Sequence, residues 1–264
     1  MEKAPLVAHS AFRSAASKLK GFKGSFWLLA IIITAISITL AYIQKPLVLN
    51  RAWGEKNFLI FILVYIGSYY FNRLLGTLPL SLTLNYAKGG KAHWKNIHPM
   101  NEPRTWLKII FFISLVMVTI GALIFISMMM LIHDIPADQR HYAMLNHHLI
   151  GALINLPGFI FFAIVTVLAS LFILAPIFLF SLAQILEGQP VIQSIKTATQ
   201  LWQGEKLSCA IAMFYIYPLI IFSALTLGIA LIWTLPLTNL YVVELYLSCK
   251  RKLKANLEHT PKPY

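Results

Sequence analysis

Long apolar runs constrain this chain more than any other feature. Six of them come close to or exceed the roughly 20 residues that cross a hydrocarbon core of about 30 Å. Backbone groups in lipid find no water to bond, so such segments must be helical. The predicted spans are Phe26 to Ile43, Phe58 to Leu80, Leu107 to Ile132, Leu156 to Phe178, Leu207 to Leu225 and Ile229 to Leu247. The predicted fold class is all-α, in a multi-pass membrane protein.

The distribution of positive charge predicts the orientation. Of the 22 Lys and Arg residues, 17 lie on one side, Lys45, Arg51, Lys56 and Arg140 lie on the other, and Arg73 lies within the second span. Because segments rich in Lys and Arg stay in the cytoplasm, both termini are predicted to be cytoplasmic. Residues 1–25 then form a basic amphipathic segment, 26–248 the transmembrane domain and 249–264 a basic tail.

The net charge of +13 raises the question of nucleic acid binding. The basic residues lie in the gaps between apolar runs and do not form one continuous stripe, so nucleic acid is not the expected partner. The expected partners are the lipid bilayer and, at the cytoplasmic face, anionic phospholipid. Cys209 and Cys249 fall near predicted helix ends, and they are interpreted as packing residues because two thiols make no disulfide framework.

The even-numbered spans share a proline, which predicts an internal repeat of three hairpins. They contain Leu78-Pro79-Leu80, Ala175-Pro176-Ile177 and Leu235-Pro236-Leu237. Each of these prolines frees the carbonyl four residues earlier, on Leu75, Phe172 or Ile232, where a bend or a polar neighbour is expected. Pro218, in the fifth span, is a further candidate for bending a helix.

The segment from Phe12 to Phe26 is predicted to be an amphipathic helix. Its apolar residues fall on one helical face, and the opposite face carries Arg13, Ser17, Lys18 and Lys20. Such a helix would lie flat on the cytoplasmic leaflet. The alternative is a frayed basic tail, since two glycines weaken a helix.

The layout resembles a known group of bacterial membrane proteins. The matching features are Lys20-Gly21-Phe22-Lys23-Gly24-Ser25-Phe26-Trp27, its echo Leu201-Trp202-Gln203-Gly204 before the fifth span, and the recurring Leu-Pro pairs. They are similar to the membrane domain fused to some glycerophosphoryl diester phosphodiesterases, and to stand-alone YciC-like inner-membrane proteins. The resemblance implies three helical hairpins in a bacterial inner membrane. It implies no established catalytic activity, and the phosphodiesterase domain itself does not occur in this sequence.

The polar residues do not form a recognisable catalytic constellation. The nine Asp and Glu residues offer no pair of carboxylates within the membrane, and Lys88-Gly89-Gly90-Lys91 lacks the spacing of a phosphate-binding loop. A non-enzymatic function without a cofactor is therefore expected.

Histidines cluster between the third and fourth spans, beside Asp134 and Asp138. They are His133, His141, His147 and His148. These side chains are weak candidates for zinc or copper ligands, but their spacing matches no recognised metal motif. Interfacial histidines and helix-capping aspartates explain the same residues, so no metal site is predicted.

Inside the spans, the notable polar residues are Asn72, Arg73, Asn239 and Glu244. A charged side chain at mid-bilayer costs roughly 2.5 to 3.5 kcal/mol, so it should face protein or water. Arg73 is expected either to pair with Glu244 or to reach the headgroups with its long side chain.

Two functions stay open from the sequence. The first is an inner-membrane protein that organises the envelope or serves as a membrane partner of another component. The alternative is a small-solute or metal-ion transporter, in which the polar residues and the broken helices line a shared cavity.

Overall fold

The computed structural model describes residues 7–49, 55–91, 97, 102–133, 170–226 and 230–259. Over these residues every regular element is helical, which confirms the all-α class. The α-helices are α1 (Val7–Leu49), α2 (Glu55–Ala87), α3 (Pro103–His133), α4 (Ala175–Leu186), α5 (Val191–Gly204), α6 (Lys206–Leu225) and α7 (Leu231–His259), with a π-helical turn at Ser170–Leu174 before α4.

Two helices in the described part of the chain are long and apolar enough to cross a membrane. They cover Val7–Tyr42 in α1 and Lys206–Ser223 in α6, and they overlap the first and fifth predicted spans. The exposed side of α6 is strongly apolar, with Phe214 and Leu225 among its most exposed side chains. Most of the fourth predicted span falls outside the described residues.

The chain divides into two compact units. One comprises Met1–Ile110 with Ile177–Tyr264, and the other Phe111–Pro176. In the first unit, α1 packs along α7, and both of these helices contact α2 and α6. The second unit contains most of α3 and the π-helical turn.

Helix α1 joins the basic N-terminal segment to the first predicted span without a break. Its 43 residues extend over about 64 Å at 1.5 Å per residue, roughly twice the thickness of a hydrocarbon core. The buried positions are three, four or seven residues apart, as at a helix packing seam; they are Ala8, Ala11, Ala15, Phe22, Phe26 and Leu29. This face of the N-terminal segment is covered by protein, whereas the sequence predicted a separate helix lying on lipid.

A bend or a polar neighbour is expected at each carbonyl that a proline frees, and the clearest case is Ile232. Pro236 lies inside α7, and the carbonyl of Ile232 accepts a hydrogen bond from the indole Nε1 of Trp27 at 2.9 Å. Pro176 follows the π-helical turn, a widened geometry that accommodates a break in the hydrogen-bond ladder. Pro79 and Pro218 lie inside α2 and α6.

The contact between Trp27 and Ile232 also bears on the predicted spans. Trp27 lies at the inner end of the first predicted span, and Ile232 lies near the outer end of the sixth. The N-terminal half of α1 therefore lies beside α7, and the first predicted span extends past the start of α7. If all six spans crossed the bilayer at the same depth, Trp27 and Ile232 would lie at opposite membrane faces. Their contact does not fit that arrangement, and the six-span layout stays a prediction.

Candidate functional site: buried ion pairs between helices

Among the described residues of the first unit, the ion pair with the most buried carboxylate connects three helices. Glu244, in α7, is only 3% exposed, and its Oε1 lies 2.5 Å from the Lys18 Nζ of α1. The same ammonium donates to the carbonyl of Ala87 at the end of α2, at 3.0 Å. One lysine of α1 thus contacts both the end of α2 and the middle of α7.

The expected pair between Arg73 and Glu244 is replaced by this contact. Lys18 lies on the buried seam of α1, three residues after Ala15 and four before Phe22, so it faces α7 directly. An ion pair between Arg73 and Glu244 would require the facing sides of α2 and α7 to bring them together, and the packing gives Glu244 a lysine of α1 instead. Arg73 is exposed on α2, with its guanidinium 5.2 Å from the centre of the Tyr69 ring.

A second cluster is centred on Glu187, which directly follows α4. Its Oε1 lies 2.6 Å from the Lys88 Nζ, which follows α2. Its Oε2 lies 2.5 Å from the Lys250 Nζ of α7 and accepts a hydrogen bond of 2.5 Å from the Tyr246 hydroxyl. This carboxylate therefore joins the ends of α2 and α4 to α7.

The surroundings of Glu187 stabilise its charged form. Burial alone would raise the pKa of the carboxyl, but hydrogen bonds from Lys250, Lys88 and Tyr246 outweigh burial and hold the pKa below its usual value. A carboxylate with a lowered pKa and both oxygens occupied is poorly suited to act as a general base near neutral pH. Its arrangement suits a structural role.

A third carboxylate lies in the turn between α5 and α6. Glu205 pairs with Lys252 of α7 and accepts a hydrogen bond of 2.8 Å from the Ser208 hydroxyl. Through lysine contacts, the three acidic residues join α1, the ends of α2 and α4, and the turn between α5 and α6 to α7. We call Lys18, Lys88, Glu187, Glu205, Glu244, Lys250 and Lys252 the charge cluster.

The remaining polar candidates have separate local partners. The Asn72 side-chain oxygen accepts a hydrogen bond of 3.0 Å from the Ser37 hydroxyl of α1. The Asn239 side chain donates to the Leu235 carbonyl of its own helix at 3.0 Å. The contacts of Asn72, Arg73, Asn239 and Glu244 therefore do not converge on one site.

The histidine loop falls largely beyond the structural description. Asp134, Asp138, His141, His147 and His148 lie outside the described residues, and for His133, the last residue of α3, only the backbone is described. Among the residues that are described, no three His, Cys, Asp or Glu side chains are placed to hold a metal ion. The interpretation of this loop stays a prediction.

Sequence reasoning overlooked the lysines of the charge cluster, although one signal for Lys18 was available. Ala8, Ala11, Ala15 and Phe22 follow the heptad pattern of a packing seam. Lys18 occupies the position of that pattern between Ala15 and Phe22. The contacts of Glu187 had no comparable signal, because its two lysines come from distant parts of the chain.

Comparisons of the chain with family models, curated proteins and solved structures give no match. The resemblance to the phosphodiesterase-linked membrane domain and to YciC-like proteins therefore stays a prediction.

Proposed function

We propose that this chain is a multi-pass protein of a bacterial inner membrane that organises the envelope or serves as the membrane partner of another component. The main support for this proposal is that Glu187, Glu205 and Glu244 each form ion pairs with lysines from other elements. Breaking such buried pairs leaves an uncompensated charge, so they hold the helices in one arrangement. Both oxygens of Glu187 and of Glu205 are engaged by lysine, tyrosine or serine side chains, which favours a structural role over acid–base chemistry.

The proposed membrane arrangement has six spans in three hairpins, with both termini in the cytoplasm. The charge bias supports the orientation. The apolar exposed side of α6 supports a lipid-facing position for the third hairpin. The contact of Trp27 with Ile232 brings the third hairpin beside the N-terminal half of α1. The position of this hairpin in the membrane is therefore the part of the layout that a test must address first.

Topology reporters test this arrangement residue by residue. Fusions after Lys88, Gln203 and Lys262 should report a cytoplasmic position, and fusions near Gly54 and Asp138 an external one. The informative position is Gly228, between α6 and α7, which six spans place outside. A cytoplasmic Gly228 would reduce the layout to four spans, and an external C-terminus would overturn the orientation.

The basic end of α7 is the proposed contact surface for a partner. This helix continues to His259, beyond the predicted span, and Arg251 and Lys254 are exposed on it. Anionic phospholipid is attracted to such a surface by roughly 1 kcal/mol per basic residue. A protein partner with an acidic surface would be attracted by the same charge.

Photocrosslinking in native membranes tests the partner function. A crosslinker at Arg251 should give one discrete protein adduct, and the same crosslinker at Ile31, an exposed apolar position of α1, should give lipid adducts only. Lysine-to-glutamine changes at Lys254 and Lys262 should weaken the Arg251 adduct. Absence of a protein adduct, together with anion flux in proteoliposomes that Arg73→Gln abolishes, would instead establish the transport alternative.

A further inference from the structure

Helices α6 and α7 are antiparallel, and contacts at both ends define their register. Near the connecting turn, the hydroxyls of Ser223 and Thr234 lie 2.5 Å apart. At the other end, Glu205 pairs with Lys252. The same number of residues separates the two contacts on either helix, so the register is constant along the pair.

This register brings the two cysteines of the chain together. Cys209 lies one turn inside Glu205, and Cys249 lies about one turn inside Lys252. Both are free thiols and buried, with 0% and 1% exposure. Their side chains hydrogen-bond to each other, and this bond together with burial raises the pKa of the Cys249 thiol. The two sulfur atoms therefore lie side by side between α6 and α7.

A third sulfur lies on the same face of α6. Met213 is one turn beyond Cys209 and is 2% exposed. Helical side chains lean toward the N-terminus of their helix, so Met213 leans toward Cys209. Cys209 and Ser223 belong to the same buried stripe of α6 and both contact α7, and Met213 lies between them along that stripe.

We propose that Cys209 and Cys249 bind one Cu(I) ion, with Met213 as a weaker third ligand. Thiolate and thioether sulfur select soft ions such as Cu(I), which accepts two or three sulfur ligands. Zinc is the poorer fit, because its structural sites take four ligands and the described residues supply no third His, Cys, Asp or Glu here. The site does not rest on the proposed partner function.

Binding of Cu(I) by two thiols must release protons. Each thiol loses its proton as its sulfur becomes a ligand, so one Cu(I) releases two protons and leaves one net negative charge. Two charged groups face this site: Lys252, about one turn from Cys249, lowers the energy of that negative charge, and its ion-pair partner Glu205 raises it. Affinity should therefore fall as the pH is lowered. No change in oxidation state is involved.

Titration of the reduced full-length protein in detergent tests the site. The probe is Cu(I) buffered by a chromophoric chelator, and the readouts are bound copper, proton release and the copper–thiolate absorption band. We expect one equivalent with the wild type and none at this site with Cys209→Ser or Cys249→Ser. Met213→Leu should lower the affinity on the order of tenfold, the scale seen when a supporting group is lost at a metal site. Met117→Leu, at an exposed methionine of α3, is the matched control and should change nothing.

X-ray absorption on the wild type keeps the test independent of variant folding. Sulfur-only coordination is expected. Nitrogen ligands would point to the histidine loop and overturn the proposal, as would undiminished binding in the cysteine variants or no binding at all. Loss of both thiols without bound copper would identify a disulfide instead. None of these outcomes affects the crosslinking test of the partner function, so the two proposals fail separately.

Discussion

Lys18→Met should be among the most destabilising single changes in this chain. It leaves the Glu244 carboxylate buried without its ammonium, and breaking a buried ion pair costs about 3 to 5 kcal/mol. Because the Lys18 side chain is 34% exposed, we expect the lower end, about 3 kcal/mol, of that range. For a chain of this size the melting temperature should fall by roughly 6 to 12 °C. Thermal unfolding in detergent measures it.

Two further variants identify the cause of that loss. Adding Glu244→Leu to Lys18→Met should recover most of the stability, since an apolar pair can replace a buried ion pair at little cost. Lys20→Met, two residues along the same helix but exposed, should stay within about 0.5 kcal/mol of the wild type. The opposite result would be a loss of about 3 kcal/mol for Arg73→Met and no loss of stability for Lys18→Met. It would show that Glu244 pairs with Arg73 and not with Lys18.

Glu187→Gln should cost about 2 kcal/mol, the scale of lost hydrogen bonds to a charged group. The amide keeps the shape but leaves Lys88 and Lys250 facing each other without a counter-charge. Both lysines are nearly half exposed, so water screens part of their repulsion and the cost stays below that of a fully buried pair. Chemical or thermal unfolding at neutral pH measures it.

The pH dependence of this difference is a sharper test. Because the pKa of Glu187 is lower in the folded protein than its usual value of 4.5, its stabilisation is present above that value and is lost as the pH falls through the folded pKa. The gap between wild type and Glu187→Gln should therefore close on acidification below about 4.5. Glu258→Gln is the control, because its 65% exposed carboxylate lies 3.8 Å from Lys254 and contributes roughly 0.3 to 0.5 kcal/mol. A gap that persists in acid would contradict the assigned role of Glu187.

The helical class was predictable from local properties. Apolar runs of span length leave the backbone no partner except itself, which requires helices whatever their neighbours are. The freed carbonyl at Ile232 was predictable for a similar reason, because proline removes one donor at a fixed distance along the chain. Its partner, Trp27, was not, since 205 residues separate the two.

The order of apolar residues is enough to specify helices, and the charge bias predicts which ends lie in the cytoplasm. Which charges meet depends on how the helices pack. Helical periodicity alone places Lys18 on a polar face, whereas packing against α7 places it on a buried seam. The register of α6 and α7 makes Cys209 and Cys249 neighbours. Helix formation depends on residues a few positions apart, whereas ion pairs and sulfur contacts depend on which helix faces pack together, a choice that the whole bundle makes.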